Sequence, residues 1–238
     1  MLSLTQGDSM LAVATTALFV LGFVGMAAGT LYFLLEKPEL KPQHRSVAIY
    51  AAIITFVAAI MYYNMMNLAL AGDIGSTMPL RYIDWIITTP LLLLEVGIVA
   101  TIAGSVKKGL IARLMVADVI MIVTGYLGEV SNTGEAMTWV WFILSSLAYF
   151  WIVAEVFGIK ATGDGYAAKA VGSLKWFVII GWAIYPIGTA VQEFMTLGAA
   201  DEKSIWTASL IAACIYIVAD LTNKVIFGIV AVRAAKNS

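Results

Sequence analysis

Lys224 lies inside an apolar run long enough to cross a bilayer, residues 206–232, and Asp220 precedes it by four positions. A lysine ammonium at membrane depth costs about 3 kcal/mol or more, so it is kept where it is paired and used. At i, i+4 on a helix the two side chains share a face, which makes Asp220 the natural partner. A second apolar run carries Arg81, Asp84, Thr88 and Glu95. Two cations (Arg81, Lys224) against two carboxylates (Asp84, Asp220) form a neutral quartet, tolerable in an apolar interior where any one member alone would not be. Asp84 and Thr88 are i, i+4. Eleven positions separate Asp84 from Glu95, which at 100° per residue returns to within ~20° of the same face, about 16 Å farther along the axis. No cation stands near Glu95 in the sequence, and an unpaired carboxyl in apolar surroundings is expected to be protonated. A paired carboxylate, a hydroxyl and a neutral carboxylic acid on one face suit proton transfer along the membrane normal. The plainer alternative is that these groups bridge helices; the penalty on membrane charge weighs against it for the quartet, less so for Glu95. Asp118 is expected to be a protonated carboxyl bonding a neighbouring helix.

The elements that position these groups follow from composition. The 238 residues are 61% apolar and 12% charged, about half the charge of a soluble domain. Seven segments meet the length of a spanning helix: 11–35, 46–70, 80–101, 109–128, 137–158, 174–197 and 206–232. They are continuously apolar, without the alternation of an outer-membrane barrel, and the short connections leave no room for a soluble catalytic domain. The expectation is an all-α membrane protein, one seven-transmembrane-helix bundle over residues 1–238, and not an enzyme.

Basic residues orient it. One side holds Lys37, Lys41, Arg45, Lys107, Lys108, Arg113, Lys160, Lys169, Lys175, Arg233 and Lys236; the other holds Lys203 with Asp8, Asp73, Glu129, Glu135, Glu193, Asp201 and Glu202. The excess of lysine and arginine places the N-terminus outside and the C-terminus in the cytoplasm. Met1 to Met10 has no basic n-region, so the first run is expected to be a retained span. The single cysteine, Cys214, falls inside the last span as a packing residue, and the single histidine, His44, reads as a solvated loop residue. One of each makes a transition-metal site improbable. Gly25 and Gly29 form a small-xxx-small pair, read as helix packing.

Trp85, Trp182 and Tyr185 fall deep enough to line one interior volume. Pro90 and Pro186 each remove a backbone hydrogen bond and should kink their spans. Kinked helices with aromatic walls make a slot for a flat apolar ligand, and Met121 and Gly125 could cover one end of it. Trp139, Trp141, Trp151, Trp176 and Trp206, nearer span ends, are interface candidates. From the residues alone this is a seven-helix proton or cation transporter with a buried reactive lysine.

Three motifs on three spans, in order, carry a resemblance. Arg81-Tyr82-Ile83-Asp84-Trp85 through Thr88-Thr89-Pro90, Trp182-Ala183-Ile184-Tyr185-Pro186, and Ala219-Asp220-Leu221-Thr222-Asn223-Lys224 together resemble the microbial (type 1) rhodopsins, and among them the proteorhodopsins. The resemblance implies all-trans retinal held by Lys224 as a protonated Schiff base, with Asp84 and Asp220 as counterions, Asp84 as proton acceptor, Arg81 organising the external half and Glu95 as cytoplasmic proton donor. The Asp84–Thr88–Glu95 set resembles that of outward proton pumps, unlike the sets of sodium and chloride pumps. Leu92, eight positions after Asp84, matches the leucine of green-tuned members. The implied function is a light-driven outward proton pump of the cell inner (plasma) membrane; the alternatives are a sensory rhodopsin signalling through a membrane partner and a light-gated channel. A homo-oligomer in the lipid bilayer is expected, and no nucleic-acid partner.

The departures are specific. Where many relatives carry a second-span histidine bonded to the acceptor aspartate, alignment places Tyr62. Of the paired external glutamates, Ala212 occupies one position and Glu193 matches the other roughly. Trp141 or Phe142 stands where carotenoid-binding relatives carry glycine, which argues against a carotenoid antenna.

Overall fold

Within a bilayer every backbone N–H and C=O must be satisfied inside the chain, so long apolar runs become helices. The computed structural model describes residues 10–105, 107–131, 136–162, 165–197 and 202–238, with the side chain of Glu202 left out. The expectations for residues 1–9, including Asp8, and for Glu135 and Asp201 fall outside the described residues. Five spans are single helices: α1 (Met10–Glu36), α2 (Arg45–Leu70), α3 (Thr77–Ile102), α4 (Leu110–Glu129) and α5 (Ala136–Phe157). The sixth runs through α6 (Tyr166–Trp176), a π-helical turn (Phe177–Gly181) and α7 (Ile184–Thr196). The seventh runs through α8 (Glu202–Asp220), a π-helical stretch (Leu221–Ile226) and α9 (Phe227–Lys236). The described residues contain no strand. The sixth span begins earlier than its apolar run, because Tyr166–Leu174 packs its Ala167, Ala170, Val171 and Leu174 face into the core.

Burial separates the spans into two classes. In α2, α3 and the seventh span, 50–56% of the most apolar window is buried, against 22–28% in the other four. The three central spans carry Tyr62, Asp84, Glu95, Asp220 and Lys224, so the charged groups sit where the bundle is most enclosed. Gly25 and Gly29 of α1 face inward, opposite Leu221 and Thr55, which is close helix packing.

Polar ties gather at the basic end. Lys236 pairs with Glu36 at 2.9 Å, Arg113 Nε donates to Glu155 at 2.6 Å, and Lys41 donates to the Ser238 carbonyl. The α3–α4 connection turns through Gly104 and Gly109, at φ 77° and 71°, a region open to glycine without a Cβ clash. His44 departs from expectation: it is half-buried, and its Nδ1 lies 3.0 Å from the Ala235 carbonyl.

The break in the sixth span also differs from the expected kink at Pro186. Pro186 is the third residue of α7, a first-turn position where a missing N–H is tolerated, and the irregular backbone lies upstream. Lacking an N–H, Pro186 cannot return a bond to the Trp182 carbonyl. The Tyr185 N–H takes that carbonyl instead, at 3.2 Å, while the Trp182 N–H reaches five residues back to Phe177 at 3.0 Å. Tyr185 is thereby withdrawn from the carbonyl four residues before it, that of Gly181. Asn223 fills the gap from the seventh span, its Nδ2 donating to Gly181 O at 2.9 Å. The two π-helical stretches are thus joined side chain to backbone, next to Lys224.

Removing that donor strands a buried carbonyl, which costs about 1–3 kcal/mol. Asn223→Ala should lower the unfolding free energy of the protein in detergent micelles by that amount, measured by denaturant titration. An unchanged midpoint would show that the Gly181 carbonyl finds another donor.

Candidate functional site

Lys224 is 1% exposed in the π-helical stretch of the seventh span. Its Nζ donates to Asp84 Oδ2 on α3 and to Asp220 Oδ2, the latter at 3.0 Å. The two carboxylates are unlike in their surroundings. Asp220 also accepts from the Tyr62 hydroxyl at 3.0 Å, the Tyr185 hydroxyl at 2.6 Å and the Trp85 indole Nε1 at 3.4 Å. Asp84 is bonded to Lys224 alone, and its Oδ1 has no partner. Two carboxylates around one ammonium leave an excess negative charge, which the three neutral donors on Asp220 disperse. Asp220 is therefore saturated, whereas Asp84 meets Nζ through Oδ2, the contact along which a proton can pass, and its Oδ1 has no other donor to hold the negative charge in place.

Arg81 completes the charge count without joining the cluster. Among the described residues no carboxylate lies within ion-pair distance of it. Its guanidinium stands 4.6 Å from the Tyr216 ring centroid, a cation–π placement, and its Nε is buried without a partner. The expected contacting quartet is thus a triad with a separate arginine, because Arg81 is held by an aromatic face one turn before Asp84. Tyr62, at the place of the relatives' second-span histidine, gives its hydroxyl to Asp220, and among the described residues no second-span side chain bonds Asp84. Thr88 donates its hydroxyl to the Asp84 backbone carbonyl at 2.9 Å.

Glu95 is fully buried in the apolar cluster that includes Leu92, Leu93, Val96 and Val99, and neither carboxylate oxygen has a partner. Asp118 meets α3, with Thr89 Oγ1 2.9 Å from its Oδ2 and 2.8 Å from the Trp85 carbonyl. A hydroxyl has one proton, so with that proton on the Trp85 carbonyl the other contact closes when Asp118 carries its own.

The aromatic residues enclose a cavity of about 90 Å³. Trp85, Met121, Gly125, Trp182, Tyr185 and Pro186 all line it. Trp85 and Tyr185 meet edge to face with centroids 5.1 Å apart. A Cβ on Gly125 would lie 3.2 Å from Ser145 Oγ and 3.3 Å from the Tyr82 hydroxyl, so the missing side chain keeps that wall thin. Leu92, expected at the same volume, lies outside the lining, packed in the core. Phe142 lines the cavity, and Trp141 packs its Cβ against Gly128.

Sequence reasoning missed several members. It gives Tyr216 no place, and Thr89 and Asn223 a place in the motifs but no role, although an asparagine directly before a membrane lysine is a legible signal. Glu129 was counted only as a charge outside the core; it lines the cavity and accepts from Thr189 at 3.1 Å, and Thr189 is 2.9 Å from the Tyr216 hydroxyl. Ala212 is fully buried, so Glu129 and Glu193 are the acids at that end of the cavity.

The family model for bacteriorhodopsin-like proteins matches residues 13–238. A green-light absorbing proteorhodopsin from Gamma-proteobacterium EBAC31A08 is 30% identical over 234 residues, 92% of this chain and 87% of the relative. Bacteriorhodopsin-I of Haloquadratum walsbyi is 28% identical over 225 residues, 90% and 84% of the two chains. The crystal structure of Exiguobacterium sibiricum rhodopsin superposes with a TM-score of 0.80 at 39% identity, covering 94% of this chain and 96% of that one. Blue light-absorbing proteorhodopsin from Med12 gives 0.74 at 29% identity, covering 93% and 98%.

Breaking a buried ion cluster by deleting one partner costs about 3–5 kcal/mol, since a charge is left uncompensated. Asp220→Leu should destabilise the retinal-free protein by that much in micelle denaturation, and Tyr62→Phe by about 1.5–3 kcal/mol, the worth of a hydrogen bond to a charged group. Equal, small effects in both would show that the cluster is solvated.

Proposed function

The chain belongs to the bacteriorhodopsin-like family, and on that footing we propose that it is a light-driven outward proton pump carrying all-trans retinal on Lys224 as a protonated Schiff base. The observation that carries the proposal is the asymmetry around Nζ: one carboxylate saturated with donors, the other open at Oδ1.

The residues fit the group. Trp85 and Tyr185 join the aromatic-walled slot to the lysine: both line the slot and both donate to Asp220, the partner of the buried Lys224. Trp85, Trp182, Tyr185 and Pro186 would hold the flat polyene and Met121 and Gly125 its far end, with Leu92 of α3 in the apolar core. Bound there, retinal supplies absorption of visible light and a change of shape about its double bonds.

Everything else is work for the chain. Asp84 takes the proton from Nζ through the Oδ2 contact, while Asp220, held by Tyr62, Tyr185 and Trp85, keeps its charge. Arg81 balances the outer half electrostatically. Glu95 returns a proton to Nζ from the other side, and its apolar surroundings keep that proton on the carboxyl until water reaches it. The basic end of the bundle faces the cytoplasm by the positive-inside rule. Glu95 then lies on the inner side of Lys224 and Arg81 on the outer side, so net transfer is outward. The protein sits as a multi-pass component of the inner (plasma) membrane, with protons as its cargo.

Illuminated cells producing the protein with added retinal should acidify their medium, and the signal should vanish with a protonophore. Lys224→Ala should stay colourless and silent in the same assay. Alkalinisation would reverse the direction, and a coloured protein with a photoresponse but no pH change would fit a sensor instead.

Glu95→Gln should leave the first transfer to Asp84 intact and slow only the return of the proton to Nζ, by roughly 10²-fold or more. Flash photolysis reads both steps, and added azide should partly restore the second. Unchanged recovery would remove Glu95 from the path.

A further inference from the structure

Glu95 must be refilled past a layer of buried apolar side chains. Leu40, Val47, Ala48, Val99, Ala231, Val232 and Ala235 close the basic end above it, each essentially buried. Glu95 sits on α3 among Leu92, Val96 and Val99, which pack in one buried cluster with Val47, Ala48 and Ala51 of α2. Positions 48, 51 and 55 form one stripe of α2 at helical spacing, and His44, the last residue of the turn that leads into α2, precedes it by four positions. His44 is the aqueous end of that stripe, seven residues and ~10 Å from Ala51.

The contact of His44 determines its chemistry. A backbone carbonyl only accepts, so the 3.0 Å contact to Ala235 O requires the proton on Nδ1. In the neutral ring the lone pair is then on Nε2, and a second proton can be taken up there without breaking the tie to α9. Histidine is also the side chain that ordinarily changes charge between pH 5 and 8, and this is the single histidine of the chain. The charged groups of the surrounding elements are Glu36 on α1, Lys37, Glu39 and Lys41 in the connection, Arg45 on α2, and Arg233 and Lys236 on α9. Lys236 is engaged by Glu36, Lys41 by the Ser238 carbonyl, and Arg45 by the Leu40 carbonyl.

We infer that His44 is the proton-collecting residue of the basic end, taking a proton from the aqueous phase on Nε2 and yielding it to water that enters between α2, α3 and α9 to refill Glu95. The inference rests on the pump reading. The balance is simple: one proton moves from bulk water to Nε2, from Nε2 to the transient water file, and from that file to a Glu95 carboxylate oxygen.

Two substitutions separate carrying a proton from holding α9. His44→Gln keeps an N–H donor for the Ala235 carbonyl but cannot accept and release a proton in this range; His44→Ala loses both. Recovery after a flash would be followed for the full retinal-loaded chain in lipid nanodiscs, from about pH 6 to pH 9. His44→Gln should recover severalfold more slowly than the parent, with the deficit growing as bulk proton concentration falls, and added imidazole should restore the rate where sodium chloride does not. In the retinal-free protein, the ring signal of the single histidine should follow bulk pH by NMR. The inference is overturned if His44→Gln recovers like the parent throughout and only His44→Ala is slow, which would make the residue a structural tie, or if the ring signal ignores bulk pH. A parent that moves no protons in light would instead sink the pump reading, whatever His44 does.

Discussion

Three ionised groups held in an apolar interior constrain everything around them. Lys224, Asp84 and Asp220 are each no more than 2% exposed, and removing such charges from water costs several kcal/mol per ion unless partners replace the lost hydration. The replacement determines where other residues point: Tyr62 from α2, Trp85 from α3 and Tyr185 from α7 all direct a donor at Asp220. It also explains why the three most enclosed spans carry the cluster, and why Arg81 stays nearby as the fourth charge although no carboxylate touches it. The donors are spent unequally, and the inequality is the useful part. Had Asp84 been saturated as Asp220 is, the cluster would be equally tolerable and chemically inert.

The second constraint is backbone. In a bilayer a carbonyl that loses its helical donor must find another within the protein. Pro186 shifts the bonding of Tyr185, Tyr185 releases Gly181, and Asn223 answers from the seventh span. The consequence is a mechanical connection between the residue preceding Lys224 and the irregular part of the sixth span. Trp182 and Tyr185 lie beyond that connection and wall the cavity. On the proposed reading, a change of shape in the slot would act on the segment of the sixth span that is tied to the residue before Lys224. π-Helical turns often accompany functional sites, and here the cause is traceable to one proline and one asparagine.

The two halves of the bundle differ in wetness. Toward the end bearing Glu129 and Glu193, hydroxyls and acids line the cavity, with Thr189 linking Glu129 and Tyr216. Toward the basic end, apolar side chains from α2, α3 and α9 pack in the cluster around Glu95. On the proposed pump reading, a polar-lined cavity on one side and an apolar layer on the other would let a proton move one way at a time.

Much of this was legible from residue type and spacing. Seven spans, their central charged groups and the aromatic slot follow from apolar run length, from the cost of charge in lipid and from helical phase, all local properties of the chain. Met121, Gly125, Trp182, Tyr185 and Pro186 could be assembled around one volume before any coordinates, because helix periodicity alone fixes which faces agree. Which donor meets which acceptor is a different kind of fact. Tyr62 bonds Asp220 and leaves Asp84 alone, Arg81 lies over a tyrosine face, Leu92 packs in the core and outside the cavity lining, and His44 reaches α9. Each depends on rotations and offsets between helices of a few ångströms, the reach of a single hydrogen bond. Periodicity determines the face that a side chain occupies; only packing of all seven spans decides its partner.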